Sequence, residues 1–130
     1  MYQYDAKDVT VLVNNVYLTG LGETMITCEK DEELFSTSVG AQGDVCKSVT
    51  NNSLGTITVT LQQTSPQKSL MISLANSNAI FPIWVVNPNQ GLKIGGTSAS
   101  IKNFPSVEYA TECGELEFEV QVFDYSVKSN

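Results

Sequence analysis

Apolar and polar residues alternate along much of this chain at period two, the spacing that puts successive side chains on opposite faces of a β-strand. Val9, Val11 and Val13 alternate with Thr10 and Leu12, and Asn14-Asn15, which tolerate positive φ, turn the chain into Val16-Tyr17-Leu18. An N-terminal hairpin is expected there. Thr24 to Lys30 predicts a third strand, with Met25, Thr27 and Glu29 on one face and Ile26 and Cys28 on the other. The plainest case is Gly55 to Gln62, where Ile57, Val59 and Leu61 oppose Thr56, Thr58, Thr60 and Gln62. The last predicted strand sets Leu116, Phe118, Val120 and Val122 inward and Glu115, Glu117, Glu119 and Gln121 outward.

Other segments carry weaker or different signals. Ile80 to Val86 is dense in apolar residues, but Pro82 cannot donate to a ladder and restricts it to an edge or to a strand beginning. Leu92 to Phe104 contains Gly95-Gly96, is a weaker strand, and is interrupted at Pro105. Between Asp31 and Asn52 the apolar residues thin out, and Gly40, Gly43, Asn51 and Asn52 punctuate a polar excursion that reads as an extended loop or a projecting hairpin. One helix is expected over residues 66–76, with Ser65 as N-cap, Pro66 at the first helical position, Leu70, Met71 and Leu74 on one stripe, and Asn76-Ser77-Asn78 as its end. Short strands with a single helix predict a mainly β fold of two packed antiparallel sheets, a sandwich or barrel. With 130 residues and no linker, repeat or low-complexity tract, residues 1–130 are expected to form one domain with an N-terminal arm over 1–8 and a long loop or hairpin over 39–52.

Charge and composition then narrow the chemistry. The net charge is −7, from seven lysines, no arginine and no histidine against fourteen acids. Stable nucleic-acid binding needs cations for the phosphates, and arginine for the bidentate fork, so it is disfavoured. Nucleic acid passing close by is not, because an acidic wall repels phosphate and prevents sticking. No apolar stretch approaches the roughly 20 residues needed to span a bilayer. Residues 1–8 lack the basic and apolar regions of a signal peptide, so synthesis and folding in the cytoplasm are expected. Cys28, Cys46 and Cys113 show no CxxC spacing and no histidine to complete a zinc site, and are expected to be free, small, buried hydrophobes.

Each candidate for catalysis has a plainer reading beside it. Without histidine the Ser-His-Asp and Cys-His arrangements are impossible in their usual form. Glu29, Asp31, Glu32 and Glu33, or the ladder Glu115, Glu117 and Glu119, offer carboxylates for acid–base work. The ladder, however, lies opposite a complete apolar face, where acids simply stand in water. Asp31-Glu32-Glu33 lacks the spacing of a calcium loop, and Gly20-Leu21-Gly22 and Gly91 to Gly96 fit neither a dinucleotide fingerprint nor a phosphate loop. Trp84 and the tyrosines have no arginine or basic groove with which to stack a base, and suit a core or a subunit contact. No enzyme, metal or cofactor is expected; what is left is assembly.

The segments also occur in a familiar order. Tyr4-Asp5-Ala6-Lys7-Asp8-Val9 with Leu18-Thr19-Gly20, Asp31 to Ser36 with Val39 to Val45, and Asn51 to Pro66 resemble the tail tube proteins of contractile-tailed bacteriophages, and Val107 to Ala110 and Glu115 to Phe118 match as well. The resemblance covers nearly the whole chain and is most specific in the middle block, although the chain lacks the arginine that the pattern often carries near Lys47. It implies two packed antiparallel sheets with a short helix, related to the tube subunits of type VI secretion and contractile bacteriocins. It further implies hexameric rings stacked into a hollow tube inside a contractile sheath, with tape-measure, baseplate and terminator proteins as partners, DNA passing through unbound, no membrane, and a place in the virion tail. A terminator or baseplate ring protein, or a secretion-type tube subunit, is the alternative.

Two expectations about residues follow. Some of Glu29, Asp31, Glu32, Glu33, Glu115, Glu117 and Glu119 line the lumen, where acids let DNA slide. Ring-to-ring contacts fall on the arm, at Tyr2 and Tyr4, and on the excursion, at Val39, Gln42, Asp44, Lys47, Asn51 and Asn52.

Overall fold

The computed structural model describes residues 8–19, 21–88, 90–105 and 114–129, with the side chains of 21–25 set aside. The Asn14-Asn15 turn is present as expected: both residues have positive φ (50° and 64°) and join β1 (Thr10–Val13) to β2 (Val16–Tyr17). β3 (Leu21–Lys30) leads into a two-stranded hairpin, β4 (Phe35–Val39) and β5 (Val45–Val49), so the excursion is a projecting hairpin that begins before Val39 and ends before Asn51. β6 (Gly55–Gln62) precedes the helix, α1 (Lys68–Ser77), and β7 (Phe81–Asn87), β8 (Leu92–Asn103), β9 (Glu115–Val122) and β10 (Ser126–Ser129) follow.

The strands form two antiparallel sheets, as the periodicity predicts. The larger runs β2-β1-β7-β8-β9-β6-β3, with β10 also on β8, and the smaller is β4-β5. The large sheet is open, so the sandwich rather than the barrel is realised. Val11 and Val13 from β1, Phe81, Ile83 and Val85 from β7, Ile57, Val59 and Leu61 from β6, and Phe118, Val120 and Val122 from β9 are all buried in one cluster. Strands far apart in the sheet order therefore share a core, which requires the sheet to curl over itself into two layers. Met71, Leu74 and Ala75 of α1 add to the same cluster.

The curl is built at β8. Its first half pairs with β7 and β10, and its second half, from Ala99, pairs with β9. β9 and β10 thus run in line along one edge of β8, broken at Phe123-Asp124-Tyr125. The Asp124 carboxylate closes the break, accepting from the Thr97 amide (3.0 Å), the Thr97 hydroxyl (2.6 Å) and the Ser98 amide (3.0 Å). These bonds, the Thr97 hydroxyl first, hold its carboxyl below the usual carboxylate range. Glycine is required on the facing side: Gly95 has φ +145°, and a Cβ there would collide with the Ile83 carbonyl, while a Cβ on Gly96 would collide with Asp124.

Two local expectations change and one is narrowed. The helix begins at Lys68 with Gln67 as N-cap and no side-chain cap; Ser65 lies two residues earlier, where its Oγ donates to the Thr19 carbonyl (2.6 Å) and accepts from the Gln67 amide (3.4 Å), and the Gln67 side chain accepts from Thr19. These bonds tie the segment before the helix to the end of the first hairpin. Of the two places open to Pro82, an edge or a strand beginning, β7 takes the second: it is an interior strand, and Pro82 sits beside its first residue, where the register with β8 shifts between Phe81 and Ile83 and no ladder donor is needed. Cys46 is exposed on β5, whereas Cys28 is half-buried and its thiol is pushed up to about 11 by burial; Cys113 lies outside the described residues.

Candidate functional site

The outer face of the β3-β6-β9 layer gathers residues far apart in sequence. The register places Glu29 opposite Thr56 and Thr56 opposite Gln121, then Thr27 opposite Thr58 and Thr58 opposite Glu119, then Thr60 opposite Glu117 and Gln62 opposite Glu115. Glu29, Glu115, Glu117 and Glu119 therefore stand on one threonine-rich face, behind which Ile57, Val59, Leu61, Phe118 and Val120 are fully or almost fully buried. Lys102 of β8 approaches Glu119 at 3.9 Å; both side chains are well exposed, and such a pair contributes little.

Asp31 ends this row but is differently occupied. Its carboxylate accepts from Thr56 Oγ1 (2.6 Å) and Gln121 Nε2 (2.9 Å), and these two bonds, Thr56 first, lower its pKa. It fastens the end of β3 across β6 to β9. Glu32 and Glu33 lie beyond β3, exposed at the base of the hairpin, away from the other acids.

The hairpin is the second candidate surface. Phe35 pairs with Val49, Thr37 with Lys47 and Val39 with Val45, so these six side chains share one face. Phe35 is 44% exposed and Val39, Val45 and Val49 are 67–69% exposed. Lys47 Nζ lies 4.6 Å from the centre of the Phe35 ring, an attraction that orders the face without covering it. Gln42 is in the tip and exposed; Asp44 closes the tip through its backbone carbonyl, which accepts from the Gly40 amide at 2.7 Å, beside Gly43 at φ +89°. Asn51 and Asn52 are outside the hairpin, and Asn52 works at its root: its side chain accepts from the Leu54 amide (2.8 Å) and its carbonyl from Lys30 Nζ (2.6 Å). Tyr2 and Tyr4 lie outside the described residues. Phe35, Val45 and Val49 lie outside the candidate stacking set, because the Ser, Thr, Gly and Lys between the apolar positions dilute the alternation that joins them to Val39.

Neither surface encloses a cleft in which carboxylates converge on a buried point. The acidic one is threonine-rich, with its glutamates exposed or half-buried and Thr60 buried among them; the hairpin is apolar and exposed. Among the described residues no helix is long and apolar enough to cross a membrane.

Known proteins carry the same architecture. The chain is similar to a sheath/tube terminator of an extracellular contractile injection system in the extended state, with TM-score 0.71 and 12% identity over 99% of both chains. It is also similar to a chain of the sheath–tube complex of such a system, with TM-score 0.67 and 12% identity over 99% of this chain and 93% of that one. A chain of the virion of a native gene transfer agent particle aligns with TM-score 0.67 and 14% identity over 98% of this chain and all of the other. At such identities these likenesses show the fold. No curated protein matches the chain in sequence. The profile of the bacteriophage PhiTE tail tube protein family, by contrast, matches residues 10–128, nearly the full length, and the chain belongs to that family of phage tail tube proteins, structural components of the tail.

Proposed function

We propose that copies of this chain close into rings, six to a ring, that stack into a hollow tube within a contractile sheath, with Glu29, Glu115, Glu117 and Glu119 lining the bore. The observation that carries this reading is the acidic, threonine-rich outer face of β3, β6 and β9, which lies over a complete core and whose one ion-paired lysine among the described residues, Lys102, is matched by Glu119. Duplex DNA carries one charge per about 1.7 Å of axis, so a basic bore would hold it through counterion release, whereas this face repels it and lets it slide. The apolar hairpin face supports stacking, since it suits a projection completed by the next ring. Whatever lies on either side of this subunit, tape-measure, baseplate or terminator, meets it at the ring faces.

A terminator that stops at a single ring is the second reading, favoured by the likeness to a sheath/tube terminator. Negative-stain microscopy of the purified protein separates the two: long hollow tubes support the tube reading, and isolated rings the terminator. The bore is tested separately by Glu115→Lys, Glu117→Lys and Glu119→Lys together. Tubes are expected to form at normal length and DNA ejection to slow at least tenfold at low salt. Unchanged ejection from particles carrying the triple substitution removes the acidic bore.

A further inference from the structure

The back of the other layer carries charge of the opposite sign. In β7, β8 and β10 the register sets Val86 opposite Lys93 and Lys93 opposite Lys128, and Trp84 stands on the same face one row away. Both ammonium groups lie over the indole, Lys93 Nζ at 4.3 Å and Lys128 Nζ at 5.5 Å from the ring centre. Two like charges directly opposite across antiparallel strands destabilise a sheet, and the ring offsets part of that repulsion. Among the described residues neither ammonium has a carboxylate within the 4.0 Å of an ion pair; that contact is made by Lys102 with Glu119. A chain of net charge −7 therefore holds two of its seven lysines together, on well-paired strands, with no acid opposite them among the described residues. The next row continues the surface through Leu12, opposite Trp84, to Tyr17, which is 64% exposed.

This face and the acidic one are the backs of two layers that share one core. A ring with Glu115, Glu117 and Glu119 inward thus turns Trp84, Lys93 and Lys128 outward. We propose that these three residues, flanked by Leu12 and Tyr17, are the docking surface for an acidic, Asp- and Glu-rich segment of the protein layer that encloses the tube. The outward direction rests on the acidic-bore reading above; the chemistry does not. Carboxylates of such a segment would sit between the two ammonium groups and relieve their repulsion, while its apolar residues lie along Trp84, Leu12 and Tyr17. Charge complementarity selects an acidic occupant; on another copy of the chain the bore acids face the other way and Asp31 is already bonded to Thr56 and Gln121, so the rival contact is the exposed Glu32 and Glu33 at the hairpin base, which the tube-length readout below separates from it.

Trp84 is the only tryptophan, so its fluorescence reads this surface directly. Titration of the full chain with a deca-glutamate peptide is expected to change that fluorescence saturably. The midpoint should rise at least tenfold between 0.05 and about 0.5 M salt, as screening shortens. The response should vanish in Lys93→Gln/Lys128→Gln and persist in Lys68→Gln. No response, or an equal one in the double variant, overturns the proposal. In co-sedimentation, tubes of the double variant are expected to keep their length and to retain sheath protein at least tenfold more weakly. A folded double variant that no longer forms tubes also overturns it, and assigns the face to contact between copies, with the neighbour's Glu32 and Glu33 as partners. Absence of tubes from the unmodified chain would count against the tube reading alone, because the peptide titration needs no tube.

Discussion

In β6, Ile57, Val59 and Leu61 are completely buried, whereas Phe35, Val39, Val45 and Val49 of the β4–β5 hairpin, spaced in the same alternation, remain 44–69% exposed. The difference is in what surrounds each strand. β6 lies between β3 and β9 and faces a second layer, so its apolar side is covered by its own chain. In the hairpin each strand has one partner, and among the described residues both faces stay exposed. An isolated two-stranded hairpin is marginal in water. Alternation thus tells that a strand has two faces, and only topology tells whether this chain covers the apolar one. Where it does not, the apolar face stays open, as the hairpin's does among the described residues.

Breaking the covered side should cost most. Phe118→Ala empties a fully buried position at the centre of the core and is expected to lower stability by about 3–5 kcal/mol in chemical denaturation. A loss under about 1 kcal/mol would mean that the two layers do not share that core. Next comes the corner that makes the layers: Gly95→Ala places a Cβ against the Ile83 carbonyl at a φ that L residues rarely adopt, and about 1–3 kcal/mol of destabilisation is expected in the same assay. A neutral result would show that β8 turns elsewhere.

A smaller effect tests how the corner and the end of β3 are pinned. Asp124 and Asp31 both have pKa values lowered by hydrogen bonds in the folded chain, from Thr97 and from Thr56 respectively. The unfolded chain therefore takes up protons first as pH falls. The stability these groups contribute is present above the ordinary aspartate value and is lost as pH drops through their folded values. Asp124→Asn should lower stability at pH 7 and flatten its decline below about pH 4; an unchanged acid limb would contradict the assignment. The smallest effect on stability belongs to the uncovered side. Val39→Ser with Val45→Ser should shift monomer stability by less than about 0.5 kcal/mol, because the two residues are largely exposed and face only each other across the strands among the described residues, yet prevent tube growth in electron micrographs. Tubes of normal length from this variant would place the stacking contacts elsewhere.

The sequence disclosed what depends on neighbours in the chain. The β6 and β9 strands, the Asn14-Asn15 turn and the αL end of the helix at Asn78 follow from local alternation and from residues that tolerate positive φ. It hid what depends on contacts between distant segments. Ser65 reads as an N-cap, but the helix starts beyond it and its hydroxyl joins the Thr19 carbonyl to the Gln67 amide; Pro82 reads as an edge or a strand beginning, and only the pairing of β7 on both sides decides for the second. β10 has Val127 as its one apolar residue and forms because β8 offers an edge in line with β9. The same holds for the candidate surfaces. That Glu29 joins Glu115, Glu117 and Glu119 while Glu32 and Glu33 do not follows from the order β9-β6-β3, and the pairing of Lys93 with Lys128 follows from β10, which the pattern does not announce.

Amide hydrogen exchange, compared between the unassembled chain and the polymer, tests most directly whether the hairpin is completed by a neighbouring copy. Amides of Ile57 to Leu61 and of Leu116 to Val122 should exchange slowly in both states. Amides of the β4–β5 hairpin, residues 35–49, should exchange rapidly in the free chain and at least about 100-fold more slowly in the polymer. Hairpin amides equally protected in both states, or unprotected in both, would contradict the assignment of this surface to assembly.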